Sequence, residues 1–347
     1  MLVTDSIAPP YAQLRPLKPN KTRTFPVYPK LTDMLASAAV HPDPALAYVM
    51  AVGAAYAYSD APTMATIMAR LGMEDNHCRM ISQTVDAMFI FSSSFLVQSR
   101  DGRVVVLCYR GTSPGNIIEW FTNIDMQPDM ISIPLPGVAQ EYGVHAGYYR
   151  NVRATRYEVI AALRRAVEGK SVLPGRGRMP NPLEALYITG HSLGGAMAAL
   201  MAVMLMTETD YALIAARLRA VYTIGQLMVG TPQFADACDA HPFLGRNVIR
   251  YIYQHDAAPQ IPPAMSGKFK HFGQEYQYLA PAGWRHNPKP MKQLTGLQNL
   301  LGAPLTLLAN QIQVLRKLPF HASLDDHLPQ HYVSALTPAG VRSEYGD

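Results

Sequence analysis

The chain of 347 residues combines 49% hydrophobic residues with only 16% charged residues, together with 24 glycines, 28 prolines and 3 cysteines. This composition is typical of a globular protein with a large core, and it excludes disordered and collagen-like classes. Cys78, Cys108 and Cys238 are too few and too scattered for a disulfide framework or a four-ligand zinc site. We therefore interpret them as small core residues and expect no bound metal.

The net charge of +5 is concentrated at the N-terminus. Residues 1–30 contain five basic residues against Asp5 alone, so this segment carries +4 of the total. The rest of the chain is close to neutral and has no basic groove with interleaved aromatic residues, so we expect no nucleic-acid partner. Six prolines predict an extended basic arm over 1–30, ahead of a single domain over 31–347.

The first residues do not have the pattern of a secretory signal peptide. Residues 1–8 have no basic start, and proline and charge interrupt any apolar core that follows. The localisation stays open between the cytoplasm and export with removal of a leader.

The first half of the chain predicts helices and then a pair of strands. Helical patterns at 44–58 and 62–71 each have a proline near the start, where the missing backbone N–H costs nothing. Strands are predicted at 88–97 and 103–109, and the Asp-Gly pair between them indicates a hairpin. A long helix is predicted at 148–168.

From residue 186 onwards, short β-branched and aromatic runs alternate with helical patterns. The predicted strands are 186–189, 220–224 and 248–253, and the predicted helices are 196–207, 211–218 and 233–240. This order predicts an α/β fold with a mostly parallel central sheet flanked by helices on both faces. The uncharged stretches 185–207 and 293–315 are long enough to span a membrane, but glycines and polar residues interrupt both, so no transmembrane span is expected.

A nucleophile motif lies between one of these strands and the helix that follows it. Gly190-His191-Ser192-Leu193-Gly194 matches G-x-S-x-G. This motif indicates a nucleophilic serine when a strand precedes it and a helix follows it, as is predicted here. The glycines permit a strained turn that exposes the serine hydroxyl at its apex.

A second match, Gly111-Thr112-Ser113-Pro114-Gly115, also follows a predicted strand. The residue after a nucleophilic serine must donate its backbone N–H to the developing oxyanion. Pro114 has no N–H, whereas Leu193 has one. Ser192 also opens a helix, whose N-terminus favours developing negative charge. We therefore predict that Ser192, and not Ser113, is the nucleophile.

A nucleophilic serine needs a base, and the base needs an acid that orients it. In the order typical of α/β-hydrolases both follow the serine, in loops after later strands. Asp256 directly follows the strand at 248–253 and precedes a turn-forming run, whereas Asp236 and Asp239 fall on a helical pattern. Asp256 is thus the favoured acid.

Several histidines compete for the role of the base. His327 is favoured because it follows two aspartates in a late loop, just before a proline and a short helical pattern. The alternatives that the pattern leaves open are His321, His331, His271 and His255.

Taken together, these motifs resemble the class 3, or fungal-type, lipases of the α/β-hydrolase superfamily, over roughly residues 104–336. The similar segments are Tyr109-Arg110-Gly111-Thr112 (F-R-G-T), Val144-His145-Ala146-Gly147 (V-H-x-G), Gly190-His191-Ser192-Leu193-Gly194-Gly195 (G-H-S-L-G-G), the run from Asp256 to Pro263 (D-P-V-P-x-x-P-P), and Asp326-His327 with Tyr332 (D-H-x-x-x-x-Y). The chain departs from the family at Leu227-Met228, where Pro-Arg is frequent.

The resemblance implies an α/β-hydrolase fold and a serine hydrolase that cleaves carboxylic esters through an acyl-enzyme without a cofactor. By the same resemblance Ser192 is the nucleophile, Asp256 the acid and His327 the base, and Thr112 supplies the second oxyanion donor beside Leu193. The implied activity is that of a lipase on acylglycerols. A phospholipase A1 or a short-chain esterase would use the same residues, and a non-catalytic lipid-binding protein on a hydrolase fold is the alternative from another class.

Members of this family commonly carry a lid after the oxyanion residue. Here residues 116–121 form a short helical pattern with Ile117, Trp120 and Phe121 on one apolar face, which predicts a lid helix that contacts lipid. The alternative is a helix that packs permanently on the core.

A second apolar run recurs at a spacing of three and four residues and predicts a helical insertion over about 288–318. Basic residues flank it at Lys289, Lys292, Arg316 and Lys317. Peripheral association with a lipid interface and completion of the core are both open as its role.

Overall fold

The computed structural model describes residues 1–8, 26–85, 90–112, 128–132, 135, 141–262, 267–293 and 325–341. The strands are β1 (Leu2–Ile7), β2 (His77–Val85), β3 (Ile90–Gln98), β4 (Val104–Tyr109), β5 (Pro128–Ser132), β6 (Glu141–His145), β7 (Ala185–His191), β8 (Leu218–Ile224), β9 (Val248–Tyr253), β10 (Gln274–Leu279) and β11 (Gly283–His286). The helices are α1 (Leu31–Ser37), α2 (Pro44–Tyr56), α3 (Ala61–Leu71), α4 (Ala146–Val167), α5 (Leu193–Thr207), α6 (Ala212–Ala215), α7 (Pro232–Ala240), α8 (Leu244–Asn247) and α9 (Pro329–Leu336).

Nine strands form one mixed sheet in the order β1-β2-β3-β4-β7-β8-β9-β10-β11. Its centre, from β4 through β7, β8 and β9 to β10, is parallel. Antiparallel strands extend this centre on both sides, with β1, β2 and β3 on one side and β11 on the other. The predicted α/β fold with a parallel centre is confirmed, and so is the hairpin between β3 and β4.

The parallel centre is buried on both faces. Along β4, Val105 and Leu107 pack into the core under α4 and α5, whereas Val104, Val106 and Cys108 pack into the core under α1, α2, α3 and α9. This explains why the strand reads as a continuous apolar run instead of an alternating one.

Aspartate caps start the first two long helices. The Asp43 side chain accepts a 2.9 Å hydrogen bond from Leu46 N at the start of α2, and Asp60 accepts one of the same length from Thr63 N at the start of α3. A proline in the first turn of each helix occupies a position that lacks an intrahelical N–H partner in any case. The predicted starts at residues 44 and 62 agree with these caps.

The apolar helix α5 is a core helix. Nearly all of its side chains are buried against β7, α4 and the neighbouring strands. Within the described residues, no single helix is long and apolar enough to cross a membrane. The helices Leu193–Thr207 and Thr209–Ala215 have the required length and apolar composition only when taken together, and a 98° bend separates them. The stretch 294–315 lies outside the described residues.

The structure also differs from the sequence predictions. Residues 2–7, part of the predicted N-terminal arm, form β1 and pair antiparallel with β2 at the edge of the sheet. β2, β10 and β11 were not predicted, because polar residues interrupt their alternation. The predicted helix at 211–218 is shorter: Tyr211 ends a 3-10 helix, only α6 is α-helical, and Leu218 already begins β8.

A buried ion pair joins β9 to β10. Arg250 and Glu275 are partners in the strand register, their side chains are 1% and 0% exposed, and Arg250 Nη1 lies 2.9 Å from Glu275 Oε2. Arg250 Nε also donates to the carbonyl of Phe272. The Glu275 carboxylate accepts from Asn287 Nδ2 at 2.7 Å and from Met291 N at 3.0 Å. The pair thus fastens the chain after β11 to the sheet.

We expect Glu275→Gln to lower the free energy of unfolding by about 3–5 kcal/mol, because it leaves the buried guanidinium without a counter-charge. Urea denaturation measures this loss. The matched control is Asp236→Asn, which removes the charge from an exposed contact with Lys270 and should cost less than about 1 kcal/mol. Equal losses in the two variants would contradict a special role for the buried pair.

Candidate active site

Ser192 occupies the sharp turn between β7 and α5. Its φ and ψ angles are 59° and −126°, a conformation that residues other than glycine rarely adopt and that is typical of functional turns. Its N–H donates to the carbonyl of Ile224 at 3.1 Å, which ties the turn to the end of β8. The serine is 1% exposed in this state of the site.

Close approach of backbones explains the glycine that precedes this turn. A Cβ added to Gly190 would lie 2.2 Å from the carbonyl oxygen of Gly194, which is closer than any side chain tolerates. The strand can therefore pass directly into the helix only if residue 190 has no side chain.

Asp256, in the loop after β9, and His327, just before α9, form a buried pair. His327 Nδ1 lies 2.8 Å from Asp256 Oδ2, and the carboxylate is fully buried. Asp256 Oδ1 accepts a 2.8 Å bond from Ala258 N, and Oδ2 accepts a second bond from the Tyr332 hydroxyl on α9. Burial, and next the adjacent Asp256, raise the pKa of Tyr332 well above its ordinary value, so this hydroxyl stays protonated and donates. The carboxylate is thus held by three donors.

The chain after β4 lies beside the serine turn. β4 and β7 are parallel neighbours with Tyr109 opposite Gly190. A Cβ on Gly111 would lie 2.4 Å from the carbonyl oxygen of His191 and 3.2 Å from Ser192 Cβ. Thr112, the next residue, is therefore brought to the same end of the sheet as Ser192.

Three polar side-chain atoms of this region are buried without a hydrogen-bond partner among the described residues. They are Ser192 Oγ, His327 Nε2 and Thr112 Oγ1. Buried polar groups are normally paired, and an unpaired one requires an explanation such as a catalytic role or a bound molecule. The region therefore combines a hydroxyl, an imidazole nitrogen and a further hydroxyl that are all available to a bound molecule.

The other candidates for acid and base have different surroundings. Asp236 and Asp239 are exposed on α7. His271 is buried with Nε2 at 2.7 Å from the carbonyl of Pro259, and His331 stacks on Tyr253. His255 is exposed.

Some predicted residues lie outside the described part of the chain. These are the lid residues Ile117, Trp120 and Phe121, the competing Ser113, His321, and residues 294–318 of the predicted insertion. Within the described part, no group of three or more His, Cys, Asp or Glu residues is arranged to hold a metal ion.

Tyr58 and His191 also lie at the site, although the sequence predictions do not include them. The Tyr58 hydroxyl lies 2.7 Å from His191 Nδ1, and His191 Nε2 lies 2.7 Å from the carbonyl oxygen of His327. His191 stands inside the serine motif, but Tyr58 comes from the loop after α2, and no local pattern relates residues 133 positions apart.

Comparison with known proteins shows similarity to lipases. Residues 106–266 match the family model described as lipase (class 3). A triacylglycerol lipase of Ricinus communis is 24% identical over 256 residues, which are 64% of this chain and 47% of that protein. A lipase of Rhizomucor miehei is 28% identical over 196 residues, 56% of this chain and 47% of that protein. The chain thus spans about half the length of these curated relatives.

The fold agrees with solved lipase structures. The crystal structure of a lipase from Rhizopus microsporus var. chinensis superposes with a TM-score of 0.55 at 18% identity, covering 94% of this chain and 99% of that one. At this identity the likeness shows the α/β-hydrolase fold. The resemblance to the class 3 lipases is therefore confirmed: residues 106–266 match the model of that family, and the fold is the one that solved lipases adopt.

Proposed function

We propose that this protein is a serine-dependent carboxylic-ester hydrolase, and specifically a lipase that hydrolyses acylglycerols. The observation that carries the proposal is the strained Ser192 turn beside the buried Asp256–His327 pair. The family match and relatives named as triacylglycerol lipase and lipase support acylglycerols as the substrate class.

Ser192 acts as the nucleophile and His327 as the general base. Because His327 Nδ1 faces the Asp256 carboxylate, its proton resides there, and Nε2 is left to accept the proton from the serine hydroxyl. Ser192 Oγ then attacks the ester carbonyl, and the protonated His327 returns the proton to the leaving alcohol. The acyl-enzyme is released by water in a second round of the same steps.

Asp256 orients the imidazole and stabilises its positive charge. Its three donors hold the carboxylate at one position, so it faces His327 without needing to rearrange during the reaction. The backbone N–H groups of Thr112 and Leu193 hold the developing oxyanion. Leu193 is the first residue of α5, so the helix N-terminus adds its positive end to this site.

Contact with a lipid interface forms the finer part of the proposal. The apolar residues Ile117, Trp120 and Phe121 serve as the lid face, and the insertion over about 288–318 associates peripherally with lipid through its flanking lysines and arginine. The sequence pattern alone supports these roles for the two segments.

We expect Ser192→Ala to reduce turnover of tributyrin by several orders of magnitude, because the covalent route through the acyl-enzyme is lost. Turnover is measured in a pH-stat assay, and a serine-directed phosphonate should label the unmodified protein but not the variant. The matched control is Ser113→Ala in the second G-x-S-x-G motif, which should be mild. Equal losses in both variants would overturn the assignment, and failure of the phosphonate to react would revive a non-catalytic lipid-binding function.

The rate of tributyrin hydrolysis should rise steeply as the substrate passes its solubility limit, because the lid opens when its apolar face meets the interface. The rate is followed through the limit with Ser192→Ala as the blank. In parallel, the fluorescence of Trp120 should shift on addition of lipid, with Trp120→Phe subtracting the contribution of Trp284. Saturation below the limit with unchanged fluorescence would instead indicate an open esterase site.

A further inference from the structure

His191, the residue before the proposed nucleophile, packs against the proposed base. The centroids of the His191 and His327 rings are 4.4 Å apart, and His191 is 1% exposed. The His191 ring also contacts the backbone of His327: His191 Nε2 lies 2.7 Å from the His327 carbonyl oxygen. The chain segment that presents the base is thus held from the serine turn itself.

The chemistry of the partners decides which nitrogen of His191 carries the proton. A carbonyl oxygen only accepts hydrogen bonds, so Nε2 must be protonated and donate to His327. In a neutral ring Nδ1 then has a lone pair, and it accepts the hydroxyl proton of Tyr58 at 2.7 Å. Tyr58 therefore selects the tautomer that can bind the His327 backbone.

The surroundings keep both residues neutral. Burial, and next the neighbouring His327 ring, lower the pKa of His191 well below its ordinary value. Burial also raises the pKa of the Tyr58 hydroxyl, which the nearby Arg110 opposes only in part. The other ionisable groups that face His191 are His327 and Tyr332, whose rings lie 4.4 and 6.2 Å away. A neutral His191 adds no charge that would oppose protonation of His327.

We propose that Tyr58 and His191 are positioning residues that fix the backbone of His327, so that its imidazole is aligned between Asp256 and Ser192. This inference rests on the proposed ester hydrolysis. Asp256 fixes the His327 ring at Nδ1, and His191 fixes the main chain of the same residue. One contact comes from the loop after β9 and the other from the end of β7, and together they define one orientation. A misplacement of about 1 Å at such a site can cost roughly a hundredfold in rate.

The position of Tyr58 supports this role. A Cβ on Gly111 would lie 2.4 Å from the Tyr58 hydroxyl, so the chain that leads from β4 to Thr112 passes directly over this hydroxyl. The Tyr58 hydroxyl therefore lies where the serine turn, the chain leading to Thr112 and the ring of His191 meet.

The test compares Tyr58→Phe, His191→Leu and His191→Gln. A glutamine amide can replace Nε2–H as donor to the His327 carbonyl and has no tautomer to select. We expect His191→Leu to lower kcat on p-nitrophenyl butyrate by about tenfold or more with little change in KM, and His191→Gln to retain most of the activity. Tyr58→Phe should lower kcat by roughly threefold to tenfold alone, and have little further effect in the His191→Gln background.

The matched control is Tyr187→Phe, because Tyr187 is also buried and its hydroxyl donates one 2.9 Å bond to the carbonyl of Leu35, away from the site. It should lower the Tm as much as Tyr58→Phe does and leave kcat unchanged. An equal loss of kcat in the control, or equal losses in His191→Leu and His191→Gln, would overturn the proposal.

A second readout does not depend on turnover. Nitrogen-15 NMR of labelled histidines reports the tautomer of His191 and the environment of the His327 ring. We expect the proton of His191 on Nε2 in the unmodified protein, and a shifted His327 Nδ1–H resonance in His191→Leu because the ring moves relative to Asp256. A proton on Nδ1 of His191, or an unmoved His327 resonance, would overturn the positioning role. Absence of ester hydrolysis in the unmodified protein would overturn the proposed function. The NMR results would still show whether His191 contacts the backbone of His327.

Discussion

The close passage of backbones where β7 turns into α5 is the constraint on which the rest of the site depends. Gly190 leaves room for the carbonyl of Gly194, and Ser192 takes a strained conformation between them. The strain is supported by burial on all sides: α5 packs along β7 and α4, and Ser192 N is bonded to the end of β8. A strained turn of this kind persists only when contacts with the surrounding core hold it in place. The apolar layers on the two faces of the sheet provide these contacts.

The parallel centre of the sheet brings the residues of the candidate site together at the carboxyl ends of its strands. β4, β7, β8 and β9 run in the same direction, so their carboxyl ends deliver Thr112, Ser192, Gly225 and Asp256 to one place. The positive φ of 58° at Gly225 has a clear reason, because a Cβ there would lie 2.9 Å from both the Asp256 carboxylate and the His327 ring. Each strand end therefore contributes either a functional group or the space that such a group requires.

Much of this arrangement was predictable from the sequence, because the signals are local. The strand, glycine turn and helix around Ser192, and the prolines near the starts of α2 and α3, are recognised in short windows of sequence. The pairing of Asp256 with His327 agreed with the order of the motifs. The contacts that escaped prediction are non-local or lack a pattern: β1 joins the sheet from within a proline-rich basic segment, β10 and β11 are half-exposed and polar, and Tyr58 meets His191 across 133 positions.

The Glu275 carboxylate, which balances Arg250, also fixes the residues that precede position 294. Asn287 and Met291 donate hydrogen bonds to it, and Gln293 donates to the carbonyls of Pro262 and Gly267. After position 324, the Asp326 carboxylate accepts a hydrogen bond from His255 N. His327 itself is held by Asp256 at its ring and by His191 at its carbonyl oxygen. These contacts all lie outside residues 294–324, so the sequence and length of that stretch can change without displacing His327.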